Sequence, residues 1–465
     1  MTQPKLLSKT PMLAVVALGL PLVAATVFQF GFNLTEVWVF GSVGDQGASL
    51  AGAAASDIVT GIFALLANGI GNAAVAHISQ AHGASDQASV RRYARQAIAA
   101  GVLLSLLAVV VGLLAAPVGA LVMAEGETRA LGTEFLRIMA IGSFGTIFLA
   151  LAIAVLRSLG DSVRPLIVVA VMSIATLLLE AIFVLGLFGV EPHSIVAAAW
   201  ITVGLRAVAG LALVWMIARR VSLRPKRGER FINLAALREL FRLGATSALQ
   251  QSMRLIGFLV LLGIVSSRFA TGEDGPNSAY TAINVWIKLD LPTLMMAFAW
   301  GGGVAPVVGM ALGAGKPAYA RRAAWSGVMA VIVTALVTMT TMLLFAESLA
   351  AIFLPDDPLA VRYTREIFMY AAPVYAFVTT GIVVANAYNG AGDMKTPLYW
   401  DAAIMLIVQT GLVFVLAVPT GLGIAGIGIA LVVSGILQGV VPTLLLRGAK
   451  WHRVAHPADP PSTEA

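Results

Sequence analysis

The sequence predicts an all-α membrane protein with twelve transmembrane helices in two six-helix bundles, and three observations support this prediction. Of the 465 residues, 59% are hydrophobic and only 11% are charged, and the mean hydropathy is +0.91. Soluble domains contain about 25% charged residues, so a soluble core could not bury this much apolar surface. The apolar runs reach the roughly 20 residues that a spanning helix needs, and roughly 35–40 residues per helix and loop give twelve spans. The third observation is an internal repeat.

Composition excludes several classes of protein. The apolar runs are continuous rather than alternating, which excludes an outer-membrane β-barrel. Cysteine is absent, so disulfides and cysteine metal sites are excluded. Lys5 and Lys9 precede an apolar run from Met12 to Phe40 that is too long for a cleaved signal peptide. We therefore expect this run to remain as the first span.

Polar or Gly- and Pro-containing breaks separate the apolar runs and fix the order of the elements. We expect helices near residues 11–40, 47–80, 91–118, 130–158, 164–187, 194–218, 240–268, 278–309, 322–345, 362–389, 395–417 and 423–446. Pro165 and Pro397 are expected to start two of these helices, with Asp161 and Asp393 bracing the preceding turns.

The charges alternate between the two ends of the predicted helices. Lysine and arginine collect in the loops at one end, whereas the loops at the other end carry acids such as Glu125, Glu191 and Glu347. By the positive-inside rule the basic loops and both termini are cytoplasmic, which requires an even number of spans. We expect a multi-pass protein of the bacterial inner membrane, and the net charge of +7 needs no nucleic-acid partner. The arginines expected to act as cytoplasmic anchors include Arg91, Arg92, Arg321 and Arg322.

Two loops of the first half recur in the second half. The segment GNAAVAHISQAHGASDQASVRRYAR from Gly71 aligns with GGGVAPVVGMALGAGKPAYARRAAW from Gly301, at an offset of 230. The segment RSLGDSVRPL from Arg157 aligns with NGAGDMKTPL from Asn389, at an offset of 232. The repeat predicts two parallel lobes, an arrangement in which transporters place their site between the lobes. The expected divisions are a lobe at 1–218, a basic cytoplasmic linker at 219–235, a lobe at 236–446 and a disordered cytoplasmic tail at 447–465.

Charged residues inside spans mark the candidate site of the N-terminal lobe, because each costs at least about 2.5 kcal/mol on insertion. Glu36 and Glu180 are the main candidates for a proton site, and Asp57 is a weaker one. Glu180 has an alternative role as the partner of Arg206 in a local ion pair. Polar residues lie on the same helical faces as these carboxylates. The side chains expected to converge inside this lobe are Gln29, Asn33, Glu36, Asp57, Asn68, Asn72, Ser173, Thr176, Glu180, Thr202 and Arg206. His77 lies on another face from Asp57 and is not expected to relay protons.

The C-terminal lobe carries both signs of charge within its spans, at Arg254, Lys288 and Asp290. Gln250 shares a helical face with Arg254, and Asn284 shares one with Lys288, whereas Asp290 lies about 200° away from Lys288. In one interpretation Asp290 compensates Arg254 or Lys288. In the other, a base faces the cavity and attracts an anionic or zwitterionic substrate. Asp401 is expected to be structural.

The repeated loops, with GFNLTEVWVFGSVG from Gly31 and ATLLLEAIFVLGLFG from Ala175, resemble the multidrug and toxic compound extrusion (MATE) family. The resemblance covers the chain from Pro21 to about Pro442 and is closer to the proton-coupled DinF-like branch. It implies twelve helices in two lobes and export of organic, often cationic, compounds driven by proton or sodium entry.

The resemblance also has departures. Glu36 and Glu180 stand where the family usually has aspartates. The negative charge is the same, and each side chain is longer by one methylene group. One branch of the family has a glutamate where this chain has Arg254, and no carboxylate occurs here between Ile367 and Gly392. A cation site of that branch's type is therefore not expected in the C-terminal lobe.

These observations distinguish among three transport functions and one enzymatic class. We expect a proton-coupled antiporter that exports small amphipathic organic compounds, with a sodium-coupled exporter and a flippase for lipid-linked substrates as alternatives. An intramembrane enzyme is disfavoured, because the sequence has no cysteine nucleophile, no clustered histidines and no serine elbow. The expected partners are a small organic substrate and the lipid bilayer. The expected state is a monomer without a cofactor other than its coupling ion.

Overall fold

The structure is a computed structural model that describes residues 5–41, 46–123, 126–191, 195–225, 230–269, 278–354, 357–417, 422–449 and 451. These residues form helices and contain no strand. The α-helices are α1 (Pro11–Gly41), α2 (Gln46–Gly83), α3 (Gln87–Leu113), α4 (Ala115–Val122), α5 (Glu127–Ile141), α6 (Ser143–Ser158), α7 (Val163–Phe183), α8 (Ile195–Arg220), α9 (Leu234–Phe269), α10 (Ser278–Gly313), α11 (Pro317–Phe353), α12 (Pro358–Ala371), α13 (Tyr375–Ala391), α14 (Lys395–Ala402), α15 (Thr410–Ala417) and α16 (Gly423–Gly448). The predicted tail at 447–465 lies almost wholly outside the described residues.

The described helices agree with the predicted twelve spans. Ten stretches are long and apolar enough to cross a membrane on their own, and α5 and α6 together make an eleventh. The remaining long helix, α9, begins with several charged side chains and carries Arg254, which lowers its mean hydropathy. Because it packs along α2 and α14, we count it as the twelfth span.

Three predicted spans are interrupted within the described chain. The span predicted at 130–158 bends by 43° where α5 meets α6. Gly142 lies at this bend and packs so closely against Val203 that a Cβ atom would not fit. Pro373 stands in a short 3₁₀ turn between α12 and α13, as expected of a residue that cannot continue a helix ladder. A π-helical segment, Ala403–Gln409, separates α14 from α15.

The turns before α7 and α14 are built as the repeat predicts. Asp161 Oδ1 accepts a hydrogen bond from the backbone N–H of Arg164 at 3.2 Å. Asp393 Oδ1 accepts one from Thr396 at 3.1 Å. Each carboxylate therefore caps the helix that follows it.

Each half of the chain begins by packing against the other half. Ala14, Val15 and Leu18 of α1 belong to the same buried cluster as residues of α10, α11 and α13. In the same way, the first turns of α9 pack against α2, where Gly69 faces Gly244. The helices α1 and α9 occupy equivalent places in the repeat. Because each packs against the opposite half, these two contacts are related by an approximate two-fold symmetry.

The two halves meet near the helix ends that carry the basic loops. Gln80 Nε2 donates hydrogen bonds to the carbonyls of Gly390 and Ala391, each at 3.2 Å. Tyr319 Oη donates to the carbonyl of Lys9 at 2.9 Å. His77 Nε2 lies 3.8 Å from Glu239 Oε1. We call this side the basic face, and the described contacts close the molecule there.

The halves separate toward the opposite, acidic face. Beyond the contacts just described, Phe28 of α1 is 50% exposed, Ile58 of α2 is 72% exposed and Leu291 of α10 is 42% exposed. No neighbouring atom lies within 4 Å of a Cβ placed on Gly61 of α2. Polar side chains that lipid would not solvate are exposed on the same three helices, namely Gln29, Asp57, Asn68 and Lys288, and from these we infer that a cleft between the halves opens at the acidic face.

Candidate functional site

The buried carboxylate of Glu180 is the centre of the N-terminal candidate site. It lies on the inward stripe of α7 with Ser173 and Thr176, and its side chain is fully buried. Thr202 Oγ1 of α8 donates a hydrogen bond to Glu180 Oε1 at 3.4 Å. The helical periodicity of two separate helices thus brings an acid and a hydroxyl together. Thr176 lies on the same stripe, but its hydroxyl bonds the Met172 carbonyl of its own helix.

Arg206 is placed differently from the ion pair considered for Glu180. Among the described side chains, no salt bridge joins Arg206 to Glu180. Arg206 instead lies within electrostatic range of Asp57 on α2. The reason is that Thr202, one turn earlier on α8, occupies the position that faces Glu180. The positive charge of Arg206 therefore acts on Asp57 of α2.

The α2 residues divide between the cleft and the closed interface. Asp57 and Asn68 are exposed on the face of α2 that borders the cleft. Asn72 departs from the expected position inside one lobe. Its Nδ2 donates to Ser247 Oγ of α9 at 3.0 Å, and its Oδ1 accepts from Arg157 at 3.2 Å. Asn72 is thus a contact between the halves, because α9 crosses over to α2 at this depth.

Of the three polar side chains predicted on α1, one lies within the described residues. Gln29 is exposed. The side chains of Asn33 and Glu36, which the sequence places on the same face, lie outside the described residues. Glu36 therefore keeps its predicted role as a hypothesis.

Arg254, one of the two bases considered as a partner of Asp290, is paired with Asp401 instead. Arg254 donates to Asp401 Oδ1 at 3.0 Å, and Gln250 Nε2 donates to Asp401 Oδ2 at 3.0 Å. Gln250 and Arg254 lie one turn apart on α9, so they hold both oxygens of one carboxylate on α14. Asp401 is fully buried. The sequence predicted Arg254 and Gln250 on one face but not the helix that would meet them.

Asp290 is buried as well, and among the described side chains no salt bridge joins it to Arg254. It borders an internal cavity of about 60 Å³, large enough for a few water molecules. Tyr375 lies beside its carboxyl group, and Trp286 lies beside Tyr375 and lines the same cavity. The polar residues that line this cavity are Arg254, Asp290, Thr293, Tyr375, Thr379, Gln409, Ser434 and Gln438.

Lys288 lies on a different face of α10, as the predicted angle requires. It is exposed, and Asn284 on the same face is half-buried. Gly302 lies on the same face of α10, nearer the basic face of the molecule, and Gly302 packs against Arg157 of the N-terminal half. The face that carries Lys288 therefore points toward the other half and borders the cleft.

Sequence reasoning missed the polar row on α16. Ser434 Oγ donates to Gln409 Oε1 at 3.2 Å, and Gln438 lies one turn further on. A Ser and a Gln four residues apart in an otherwise apolar span are the signal that could have indicated this row. Among the described residues, no group of three His, Asp or Glu side chains forms a metal site.

Comparison with known proteins agrees with this architecture. The sequence profile of the MatE family matches residues 21–182 and 255–415, one stretch in each half. The chain is 22% identical over 444 residues to a probable multidrug resistance protein NorM of Thermotoga maritima, covering 95% of this chain and 93% of the relative. It is 25% identical over 455 residues to a NorM protein of Rhizobium meliloti, covering 94% and 92%.

The fold is also found among solved structures. A crystal structure of a MATE protein in complex with MaL6 superposes with a TM-score of 0.85 at 21% identity, covering 96% of this chain and 98% of that one. The match of the family profile to both halves, together with the twelve-helix repeat, gives the assignment. The chain is a multi-pass membrane protein of the MATE transporter family.

Proposed function

We propose that this protein exports small amphipathic organic compounds from the cytoplasm in exchange for protons. The observation that supports this most is the fully buried carboxyl group of Glu180, held by Thr202 between two helices of one half. The names of the relatives, which are probable multidrug resistance proteins, support the substrate class.

Protonation of Glu180 would remove a charge from a buried site, where burial disfavours the charged form. A neutral carboxyl group also changes its hydrogen bond with Thr202, since it can then donate as well as accept. The preferred packing of α7 against α8 therefore depends on the proton. Inward proton flow supplies about 2.3 kcal/mol for each 100 mV of membrane potential.

The closed basic face and the open acidic face fit one state of an alternating-access cycle. With the basic face cytoplasmic and both termini inside, the cleft opens to the outside of the inner membrane. Substrate would then leave through this cleft and protons would enter through it. In the other state of the cycle, the contacts at the basic face would open, so that substrate could enter from the cytoplasm.

The test is transport into or out of proteoliposomes across an imposed pH gradient. We expect Glu180→Gln and Glu36→Gln to lose most gradient-driven transport, because a glutamine cannot carry the proton. Glu347→Gln is the matched control, since Glu347 is exposed at the acidic face and pairs only at the surface with Arg365. Gradient-driven transport that persists unchanged in both Glu36→Gln and Glu180→Gln would overturn the proposal.

Sodium coupling is the alternative within the same site, because carboxylate and threonine oxygens also bind Na⁺. A sodium gradient at fixed pH would then drive transport, and a pH gradient alone would not. A flippase for lipid-linked substrates is the other alternative, and the exposed Lys288 on the cleft face of α10 favours it. Headgroup translocation in liposomes that depends on Lys288 would support that function instead.

A further inference from the structure

A large cavity lies at the basic face, apart from the cleft and from Glu180. Its volume is about 980 Å³, and it lies between the start of α3 and the segment that leads into α9. Three arginines line it, namely Arg92, Arg95 and Arg230. The transport proposal uses none of these residues.

Arginines outnumber carboxylates among the described residues that line the cavity. Asp86 is the carboxylate among its described lining residues, and Asp86 Oδ1 accepts hydrogen bonds from the backbone N–H groups of Ala88 and Ser89. Asp86 is thus engaged in capping α3. Arg92 donates to Ser89 Oγ at 3.2 Å, which leaves other N–H groups of its guanidinium for a ligand.

The walls of the cavity are fixed to both halves of the molecule. Arg95 donates to the carbonyl of Arg230 at 3.2 Å, and Gln96 Nε2 donates to the carbonyl of Phe231 at 3.0 Å. Asn233 Oδ1 accepts from the N–H of Ala236 and so caps α9, the first helix of the C-terminal half. A ligand here would touch α3 of one half and the entrance to α9 of the other.

The rim of the cavity is apolar and exposed. Of its lining residues, Ile232 is 49% exposed and Leu234 is 75% exposed, and the adjacent Phe231 is 58% exposed. Arg92 also lies at the basic end of a lipid-facing row on α3, since Leu103 and Leu106 follow at 11 and 14 positions and are both exposed. Arginines at the end of an apolar row match a molecule with an anionic head and hydrocarbon chains.

We propose that this cavity binds the phosphate headgroup of an anionic phospholipid of the cytoplasmic leaflet. Basic pockets between transmembrane helices on this side of a membrane are suited to such headgroups. Guanidinium groups match phosphate oxygens in pairs, and the acyl chains would lie along α3. Because its walls come from both halves, the bound lipid stabilises the state that is closed at the basic face. This proposal is independent of proton coupling.

The repeat supplies a matched control. Arg322 is the equivalent of Arg92 at the offset of 230, and it is exposed at the start of α11 beside its own lipid-facing row. Trp325 stands where the first half has Arg95. The equivalent place in the second half therefore keeps one arginine at the membrane surface but lacks the arginine cavity.

The experiment measures lipid binding to the purified full-length protein by native mass spectrometry, with phosphatidylglycerol, phosphatidylcholine or inorganic phosphate as the probe. We expect one phosphatidylglycerol per chain to bind preferentially. The Arg92→Gln/Arg230→Gln variant should bind it roughly 25-fold more weakly, at about fivefold for each arginine. Arg322→Gln should bind it like the unaltered protein.

Three results would overturn the proposal. They are equal affinity of the double variant and the unaltered protein, equal affinity for phosphatidylcholine, and inorganic phosphate that competes as strongly as the lipid. Thermal unfolding without added lipid checks that the double variant is folded. If it is not, the single variant Arg230→Gln, altered only at an exposed position before α9, replaces it, with a fivefold loss expected.

Discussion

Single residues decide how the C-terminal half tolerates charge inside the membrane. Asp401 accepts hydrogen bonds from Arg254 and Gln250, so the positive charge on α9 is neutralised by a helix that is distant in sequence. In one of the two interpretations of the sequence, Asp290 compensates Arg254 or Lys288, and Asp401 is expected to be structural. Periodicity gives the face of a helix on which a residue lies, and it does not give the helix that packs against that face.

We predict that Asp401→Asn destabilises the protein by about 3–5 kcal/mol, because it leaves the guanidinium of Arg254 buried without its partner. Thermal unfolding in detergent measures the effect. The double variant Asp401→Asn/Arg254→Gln should recover much of the loss, since it removes both charges. If Asp401→Asn alone unfolds at the same temperature as the unaltered protein, the ion pair has no structural role.

We also predict a separate effect for Lys288, another charged residue within a span of this half. Lys288→Gln should change which substrate charges are transported, with little change in thermal stability, because Lys288 is exposed on the cleft face. Transport of a cationic and an anionic dye compared in the same vesicles tests this. An unchanged ratio of the two rates would show that Lys288 does not face the transported molecule.

At the scale of helices, the contact between α2 and α10 closes the basic face. Gly83 packs against the backbone of Met310, and its repeat equivalent Gly313 packs against the backbone of Gln80. Met310 and Gln80 are themselves equivalent at the offset of 230. Two glycines are therefore required by one symmetric contact, and a Cβ at either would force the helices apart.

We predict that Gly83→Ala and Gly313→Ala shift the molecule away from the state closed at the basic face. Spin labels on cysteines introduced at Gln87 and Lys395 report the distance across this face, and the chain has no other cysteine. The distribution should move to longer distances in both variants. Gly204→Ala is the control, because no atom lies within 4 Å of its Cβ position. Identical distributions in all three variants would contradict the gating role of this contact.

For the whole molecule, the alternation of charged loops predicts its orientation. A cysteine introduced at Ser222, in the basic linker, should be protected from a membrane-impermeant thiol reagent in intact cells. A cysteine introduced at Glu191, exposed at the opposite face, should react. The reverse pattern would place the basic face outside and invert the proposed direction of transport.

The sequence by itself determined the fold class, the parallel repeat, the order of the spans and the helical faces that carry Glu180, Thr202, Gln250 and Arg254. These follow from hydropathy and from the 3.6-residue period, which are local properties of a chain in a membrane. Only the tertiary structure decided that Arg254 meets Asp401, that Asn72 joins the two halves and that α1 and α9 cross between them. Those contacts depend on how helices distant in sequence pack, and a local pattern carries no information about its partner.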